Sequence, residues 1–560
     1  MTERVFVDGK PLDLRPEDFV AAGGQGRVFA RGPLALKLFD DPADVPEPQK
    51  LADLRALAGP HVTAPERPVT DAQGRTIGYT MPFFGGAHSW AQLCTPAFRR
   101  RVGLDDTAAL GLVRSLGAAL TEIHRHGTTV VDLSENNVLV RGTEVCLIDL
   151  DSWQTPHHRA TAITPSIVSP HVPAGQFGAD TDWFAFAVLV TTLLLGIHPF
   201  KGKHPTVKGL PARMKAGLSV FDPQVRRPAV CKDPASLPTA LRGWLRNVLE
   251  RGASGPPPLG PLPSPTPQPV LPRHGHAYPE TIRWVLVDPG RVVVATRTAA
   301  YADASCWHDD GRVLRALGRT HEGRAFIVQD AAHQGLELRV EGTEARVPLS
   351  LVPDDVMGRD GAVFVRTRGR ILSLDVRILG ARAVLLTREV ARMLPHATQL
   401  FPGVALQNIL GTWRASLLGH PRGTPQVTLG SWGSAEVLDA RRDGDRLVAL
   451  VQRGGVISRH RYTLGDRGEV VEHAVDSNVD PWGTTFVRVR GLYVEVGQKG
   501  LRQGAGDPTA PWEPLPGDLA TLDLHTDGQR LFASSGAALH EVEGPAPTTF
   551  RLGFDVTRCR

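Results

Sequence analysis

Cysteine is scarce in this chain of 560 residues. There are five, at positions 94, 146, 231, 306 and 559, an odd count with no pair at metal or redox spacing. A disulfide framework is not expected, and a reducing, cytoplasmic setting is. Long apolar runs are missing as well. The most apolar stretch, residues 183–197, is about 15 residues long and holds two threonines, short of the roughly 20 that a membrane span needs. It reads as a buried helix, and no membrane association is expected. Residues 1–10 carry acidic side chains and no apolar core, so they do not read as a signal peptide. Dense basic runs and basic helix stripes are also lacking. A net charge of +5 spread over this length reads as a solvated surface, which argues against a nucleic-acid partner and against a DNA-responsive regulator.

What is present is a chain too long for one core, with two contrasting halves. Residues 252–279 read GASGPPPLGPLPSPTPQPVLPRHGHAYP. Proline at this density removes amide donors and fixes φ, so neither helix nor sheet continues, and the segment reads as a semi-rigid linker. Before it, short β-like runs at 28–29, 35–39 and 76–81 give way to helical runs at 106–124, 182–195 and 238–250. That order predicts a two-lobed α+β domain over residues 1–251. After it, helical patterns almost vanish. A glycine turn followed by β-rich runs recurs with leading glycines Gly290, Gly323, Gly361, Gly403, Gly444, Gly483 and Gly528, at intervals of 33, 38, 42, 41, 39 and 45 residues. A strand-only unit with a period near 40 predicts an all-β propeller of about seven blades over residues 280–560. No Trp-Asp signature marks the unit, so it is not a standard WD repeat, and a pair of β-sandwiches is the alternative.

Candidate chemistry concentrates in the first domain. The segment Ala21-Ala22-Gly23-Gly24-Gln25-Gly26-Arg27-Val28 offers glycines that let backbone amides approach phosphate oxygens. Eleven residues after Gly26, Lys37 stands inside the apolar run Ala35-Leu36-Lys37-Leu38-Phe39, at a distance that lets it reach what the loop covers. Residues 124–140 read HRHGTTVVDLSENNVLV, with Asp132 and Asn137 five apart ahead of a β-run. A second short strand, Val145-Cys146-Leu147-Ile148-Asp149, ends in a carboxylate. Asp132 can accept a hydroxyl proton or orient the nucleophile, while Asn137 and Asp149 offer oxygen ligands of the kind that hard magnesium needs beside phosphate.

These motifs, in this order, resemble the eukaryotic-type (Hanks-type) Ser/Thr protein-kinase fold over roughly residues 15–250. The resemblance implies ATP and magnesium as cofactors, with Gly23, Gly24, Gly26, Val28, Lys37 and Met81 at the nucleotide. It implies Asp132 as the catalytic residue, and Asn137 and Asp149 as metal ligands. Asp182, at the start of Thr181-Asp182-Trp183-Phe184-Ala185-Phe186-Ala187-Val188, would tie down the catalytic-loop backbone, and Gly196-Ile197-His198-Pro199-Phe200 resembles the G-x-x-P-F that follows. The variant Asp149-Leu150-Asp151-Ser152-Trp153-Gln154 is similar to a divergent bacterial subgroup related to kinases with helix-hairpin-helix tails, some of which are linked to VWA-domain and phosphatase partners.

The match departs from the family pattern at several positions. Val130 and Val131 stand where a His and an Arg precede the catalytic aspartate, Ser134 replaces a lysine that steadies the transferred phosphate, and Ser169-Pro170-His171 replaces A-P-E. Without the Arg, activation by a phosphorylated loop has no matching cation. Asp151 replaces a glycine and reads either as a third metal carboxylate or as a stiffener of the turn. For the helix glutamate that partners the strand lysine, Glu47 is the candidate; Asp53 is better spaced, and Lys50 sits close to the expected position. The expectation is a Ser/Thr protein kinase acting on a protein substrate, with a propeller that binds that substrate or a partner protein. The alternative is a pseudokinase scaffold that binds nucleotide without efficient transfer.

Overall fold

The computed structural model describes residues 3–173, 175–228, 231–258, 276–303, 305–333, 335–380, 382–433, 435–481, 484–497, 500–504 and 522–542. The chain divides into two compact units. The first runs from Met1 to Pro267 and takes in the short segments Gly433–Leu438 and Gln452–Val456; the second is the remainder.

In the first unit a seven-stranded sheet forms from β1 (Glu3–Val7), β2 (Lys10–Leu14), β3 (Phe19–Ala22), β4 (Gly26–Arg31), β5 (Leu34–Phe39), β6 (Pro68–Thr70) and β7 (Thr76–Pro82), in the order β2-β1-β6-β7-β5-β4-β3. Helix α1 (Pro48–Arg55) lies between β5 and β6 in the chain. A small sheet of β8 (His88–Ser89), β9 (Val138–Arg141) and β10 (Glu144–Leu147) follows, with helices α2 (Trp90–Leu93), α3 (Pro96–Val102), α4 (Asp106–Arg125), α5 (Ala179–Leu195), α6 (Leu210–Lys215) and α7 (Thr239–Arg251). Asp105 caps α4 by accepting from the Ala108 amide. The helix then buries Ala109, Leu112, Val113, Leu116, Leu120 and Ile123, a stripe at the 3.6-residue period, and packs on α5. Nearly every residue of α5 is buried, as its unbroken apolar sequence requires, and the helix stops at Gly196, whose φ of +75° a residue with a Cβ rarely adopts. The runs expected at 28–29, 35–39 and 76–81 fall inside β4, β5 and β7. The helix sought around residues 47–53 is α1, and the β1–β2 hairpin was not anticipated. Among the described residues no helix is long and apolar enough to cross a membrane.

The second unit is built of strands. Its described residues form seven antiparallel sheets, six of four strands and one of three. The first is the meander Trp284–Asp288, Arg291–Ala295, Ala299–Ala302 and Ser305–Asp309. The last joins distant parts of the chain: His276–Ala277 pairs with Ala538–Val542, which continues into Leu531–Ser535 and Leu522–Thr526. The strand His276–Ala277 therefore lies inside the stretch read as linker. The leading glycines Gly290, Gly323, Gly361, Gly403, Gly444 and Gly528 occupy the turns between first and second strands, all with positive φ. Gly483 lies outside the described residues, and Gly491 (φ +81°) fills that turn in its sheet.

Candidate active site

The site begins with strand pairing. Val28 on β4, Lys37 on β5 and Tyr79 on β7 stand opposite one another in register, so the three side chains share one face of the sheet. Lys37 is 7% exposed. Its ammonium donates to Asp149 Oδ1 and, at 2.7 Å, to Asp151 Oδ1. Burial pulls the Lys37 pKa down, but the two carboxylates outweigh it and hold the ammonium above its ordinary range. Asp149 is pushed up by burial against the pull of Lys37.

The two aspartates differ in access. The Asp149 side chain is 40% exposed and keeps an open face; that of Asp151 is 4% exposed. Asp151 Oδ1 also accepts from the Tyr79 hydroxyl at 2.7 Å, so this oxygen is already shared by two donors. Among the described residues, no three His, Cys, Asp or Glu side chains come together in a way that holds a cation. Asp151, read from the sequence either as a third metal carboxylate or as a stiffener of the turn, is buried here and bonded to Lys37 and Tyr79.

The catalytic-loop segment is held from below. Asp182 is fully buried; Oδ2 accepts from the Val130 amide and Oδ1 from the Val131 amide, each at 2.8 Å, and His124 Nε2 lies 2.8 Å from Oδ2. Val131 has a φ of +63°, a conformation that a β-branched residue adopts only under constraint, and the carboxylate supplies that constraint. Asp132 follows immediately. Asn137 Nδ2 donates to the Asp132 carbonyl at 3.2 Å and to Asp132 Oδ2 at 3.3 Å. Asp132 Oδ1 is buried with no hydrogen-bond partner. An orphaned carboxylate oxygen beside a fixed amide can receive a proton from a hydroxyl placed against it.

The glycine segment forms the turn from β3 to β4, closed by the Gly23 amide donating to the Gly26 carbonyl at 2.8 Å. A Cβ on Gly24 would meet nothing within 4 Å, whereas one on Gly26 would lie 2.0 Å from the Leu38 carbonyl oxygen. Gly26 is thus demanded by the close approach of β4 to β5, a reason that the motif alone did not reveal. Met81, on β7, packs against Phe39, Leu51 and Tyr79.

Glu47 does not meet Lys37. It is the residue before α1, 81% exposed, with its carboxylate 3.7 Å from His158. The expectation of a Glu47–Lys37 pair is corrected: Pro48 starts the helix, leaving Glu47 outside it. Asp53 is occupied elsewhere, accepting from Thr155, Gln49 and His157, and these bonds outweigh burial and lower its pKa to about 2. Lys50 is buried at 5% exposure on the same helix. Burial lowers its pKa, and the charge of Asp151 opposes that. Sequence reasoning missed Tyr79, His124 and the inward placement of Lys50. Tyr79 was within reach, because pairing β5 with β7 puts it directly opposite Lys37.

No family model matches the chain. Over 226 residues it is 27% identical to protein kinase YegI of Escherichia coli O157:H7, a match covering 36% of this chain and 34% of that protein. The figures for YegI of Escherichia coli K12 are 26% over 217 residues, 35% of this chain and 32% of that one. Tribbles homolog 3 of Bos taurus is 27% identical over 172 residues, covering 26% of this chain and 47% of that protein. The chain thus spans about a third of the length of the two YegI proteins. The N-terminal region, where Lys37, Asp132 and Asp149 converge, is similar to protein kinases.

Proposed function

We propose that the first unit is a protein-kinase-like domain that binds ATP with magnesium and transfers the γ-phosphoryl group to a serine or threonine of a protein. The observation that carries the reading is the unpartnered Asp132 Oδ1, oriented by Asn137 and by the Asp182 clamp beneath it. The attacking hydroxyl oxygen bonds to the γ-phosphorus, the bond to the β-phosphate oxygen breaks to leave ADP, and the hydroxyl proton passes to Asp132. Lys37 offers its ammonium to phosphate oxygens, and the open turn at Gly23 and Gly24 leaves room for phosphate beside the backbone amides. Asn137 and Asp149 would hold the metal. Their oxygen donors fit a hard cation, and the exposed face of Asp149 leaves a coordination position, though two side chains suffice only when phosphate oxygens join them. Bound magnesium supplies charge neutralisation at the phosphates.

The second unit reads as a β-propeller of seven sheets that binds the protein substrate or a partner protein. This reading rests on the repeated meanders and on the pairing of His276–Ala277 with Ala538–Val542, by which a strand from the start of the unit completes its last sheet. A scaffold that binds nucleotide without efficient transfer is the second reading, favoured by Ser134 in place of a lysine that steadies the phosphate. One assay separates the two. The full-length chain, incubated with labelled ATP and magnesium, is expected to label itself or a co-encoded protein. Asp132→Ala is expected to lower that rate by about 10²–10⁴-fold while ATP affinity stays near the wild-type value. Absence of transfer by the wild type selects the scaffold.

A further inference from the structure

In protein kinases the strand lysine is oriented by an ion pair with a glutamate on the helix that follows, and the position of that helix decides whether the pair forms. Here the helix α1 carries no such group. Its sequence, PQKLADLR, has one carboxylate, Asp53, and that side chain is taken by Thr155, His157 and Gln49. Glu47 is outside the helix and turned to His158. What α1 sends inward is a second cation, Lys50.

The carboxylates that Lys37 meets, Asp149 and Asp151, come instead from the turn after β10, and Asp151 is the buried one of the two. Asp151 is 5% exposed and lies in the short helical turn Leu150–Ser152, against which α1 packs. Its Oδ1 bridges Lys37 Nζ and the Tyr79 hydroxyl, each at 2.7 Å. Lys37 and Tyr79 are register partners on β5 and β7, so both donors are fixed by the sheet. Lys50, buried on α1, also feels the charge of Asp151. Asp151 is thus the buried carboxylate bonded to Lys37, while Asp149 keeps an exposed face.

We propose that Asp151 is the positioning residue for Lys37, replacing the helix glutamate, so that the orientation of the phosphate-binding lysine is set by the sheet and the turn and not by the position of α1. The proposal rests on the reading of Lys37 as the nucleotide lysine. It follows that no ion pair between Lys37 and a residue of α1 has to form for the site to be switched on.

The test uses the full-length chain and measures ATP affinity by calorimetry alongside KM and kcat. Asp151→Asn keeps the shape and removes the charge; it is expected to weaken ATP binding by about tenfold or more, with a matching rise in KM. Glu47→Ala is expected to match wild type in all three. Asp151→Gly combined with Lys50→Glu moves the carboxylate to the helix, and is expected to recover at least about tenfold of the affinity that Asp151→Gly alone loses. A residue that merely packs the turn would not be rescued by a charge on another element. Wild-type affinity in Asp151→Asn, a defect in Glu47→Ala, or a double variant no better than Asp151→Gly overturns the proposal. If the wild type binds ATP without transferring phosphate, the transfer reading fails while the affinity comparison still decides the role of Asp151. A wild type that binds no ATP overturns both.

Discussion

On the strand and loop side of Lys37, every charged group is held by backbone that is itself fixed. Asp149 and Asp151 follow the short strand β10, Tyr79 stands in register on β7, and the two consecutive amides of Val130 and Val131 are gripped by Asp182 from the first turn of the buried helix α5. On the helix side the groups at comparable distances in sequence go elsewhere: Glu47 faces His158, Asp53 faces Thr155 and His157, and only Lys50 turns inward. The difference lies in the connection. A residue offset along a strand or through a two-residue hairpin has one place to go, because side chains alternate and the turn fixes the register. A residue reached through the loop after β5 has its direction set by where the helix starts, and here Pro48 starts it one residue after Glu47.

If the loop side is a rigid frame, its keystone is Asp182, and Asp182→Ala is expected to have the largest effect. The substitution strands the amides of Val130 and Val131 and the His124 nitrogen in a buried site, and it frees Val131 from its positive φ. Unsatisfied buried donors cost roughly 1–3 kcal/mol each, so a loss of at least about 3 kcal/mol is expected, read by denaturant unfolding. Asp182→Asn retains an oxygen and is expected to lose less. Equal stability of Asp182→Ala and wild type would show that the loop holds its own shape, and the contrast with the helix side would lose its physical basis.

The same contrast explains what could be read in advance. Helices α4 and α7 were legible from their apolar periodicity, with Asp105 capping α4, and α5 from an unbroken apolar run that ends at Gly196. Lys37, Asp132, Asn137 and Asp149 stand out by their spacing within short connections, and Asp182 by the resemblance alone; in the structure Lys37 bonds Asp149, Asn137 bonds Asp132, and Asp182 bonds the amides of Val130 and Val131. Asp151 was noticed but left between two roles, because only burial and the Tyr79 contact tell a metal-facing carboxylate from a sheet-facing one. Lys50 sits close to the position expected of the helix glutamate, but its inward direction depends on the rotation of a short helix of weak amphipathicity. In the second unit the glycine period was visible because each meander needs a positive-φ turn. The pairing of strand His276–Ala277 with the far end of the chain was not, since two residues among prolines carry no periodic signal.

A middle-sized effect separates the glycines of the β3–β4 turn. Gly26→Ala places a Cβ 2.0 Å from the Leu38 carbonyl, so β4 must shift from β5, the strand that carries Lys37. Overpacking of this kind costs about 1–3 kcal/mol, and a lower melting temperature is expected together with weaker ATP binding. Gly24→Ala meets no atom within 4 Å and is expected to leave the melting temperature unchanged, with any effect confined to nucleotide affinity. A stable Gly26→Ala protein would place the frame holding Lys37 somewhere other than the β4–β5 pairing.

The smallest expected effect tests the sheet side at its finest point. Tyr79→Phe removes one hydroxyl and nothing else, since the ring stays packed with Phe39 and Leu51 and leaves no cavity. Burial, and then Asp151, push the Tyr79 phenol well above its ordinary range, so in the wild type it donates at any working pH. Its loss leaves Asp151 Oδ1 with Lys37 alone at hydrogen-bond distance, and Lys50 still near. A hydrogen bond to a charged group is worth about 1.5–3 kcal/mol when the acceptor is left bare; with Lys37 still in place, a cost nearer 1 kcal/mol is expected. In kinetics that is about a fivefold rise in KM for ATP with kcat held, because the lysine is displaced in the nucleotide-bound state while Asp132 is untouched. Combining Tyr79→Phe with Asp151→Asn should add little to Asp151→Asn alone, since both act through one oxygen. Full additivity of the two would mean that Tyr79 supports the site by packing, and that the register of β5 and β7 is not what aims the carboxylate at Lys37.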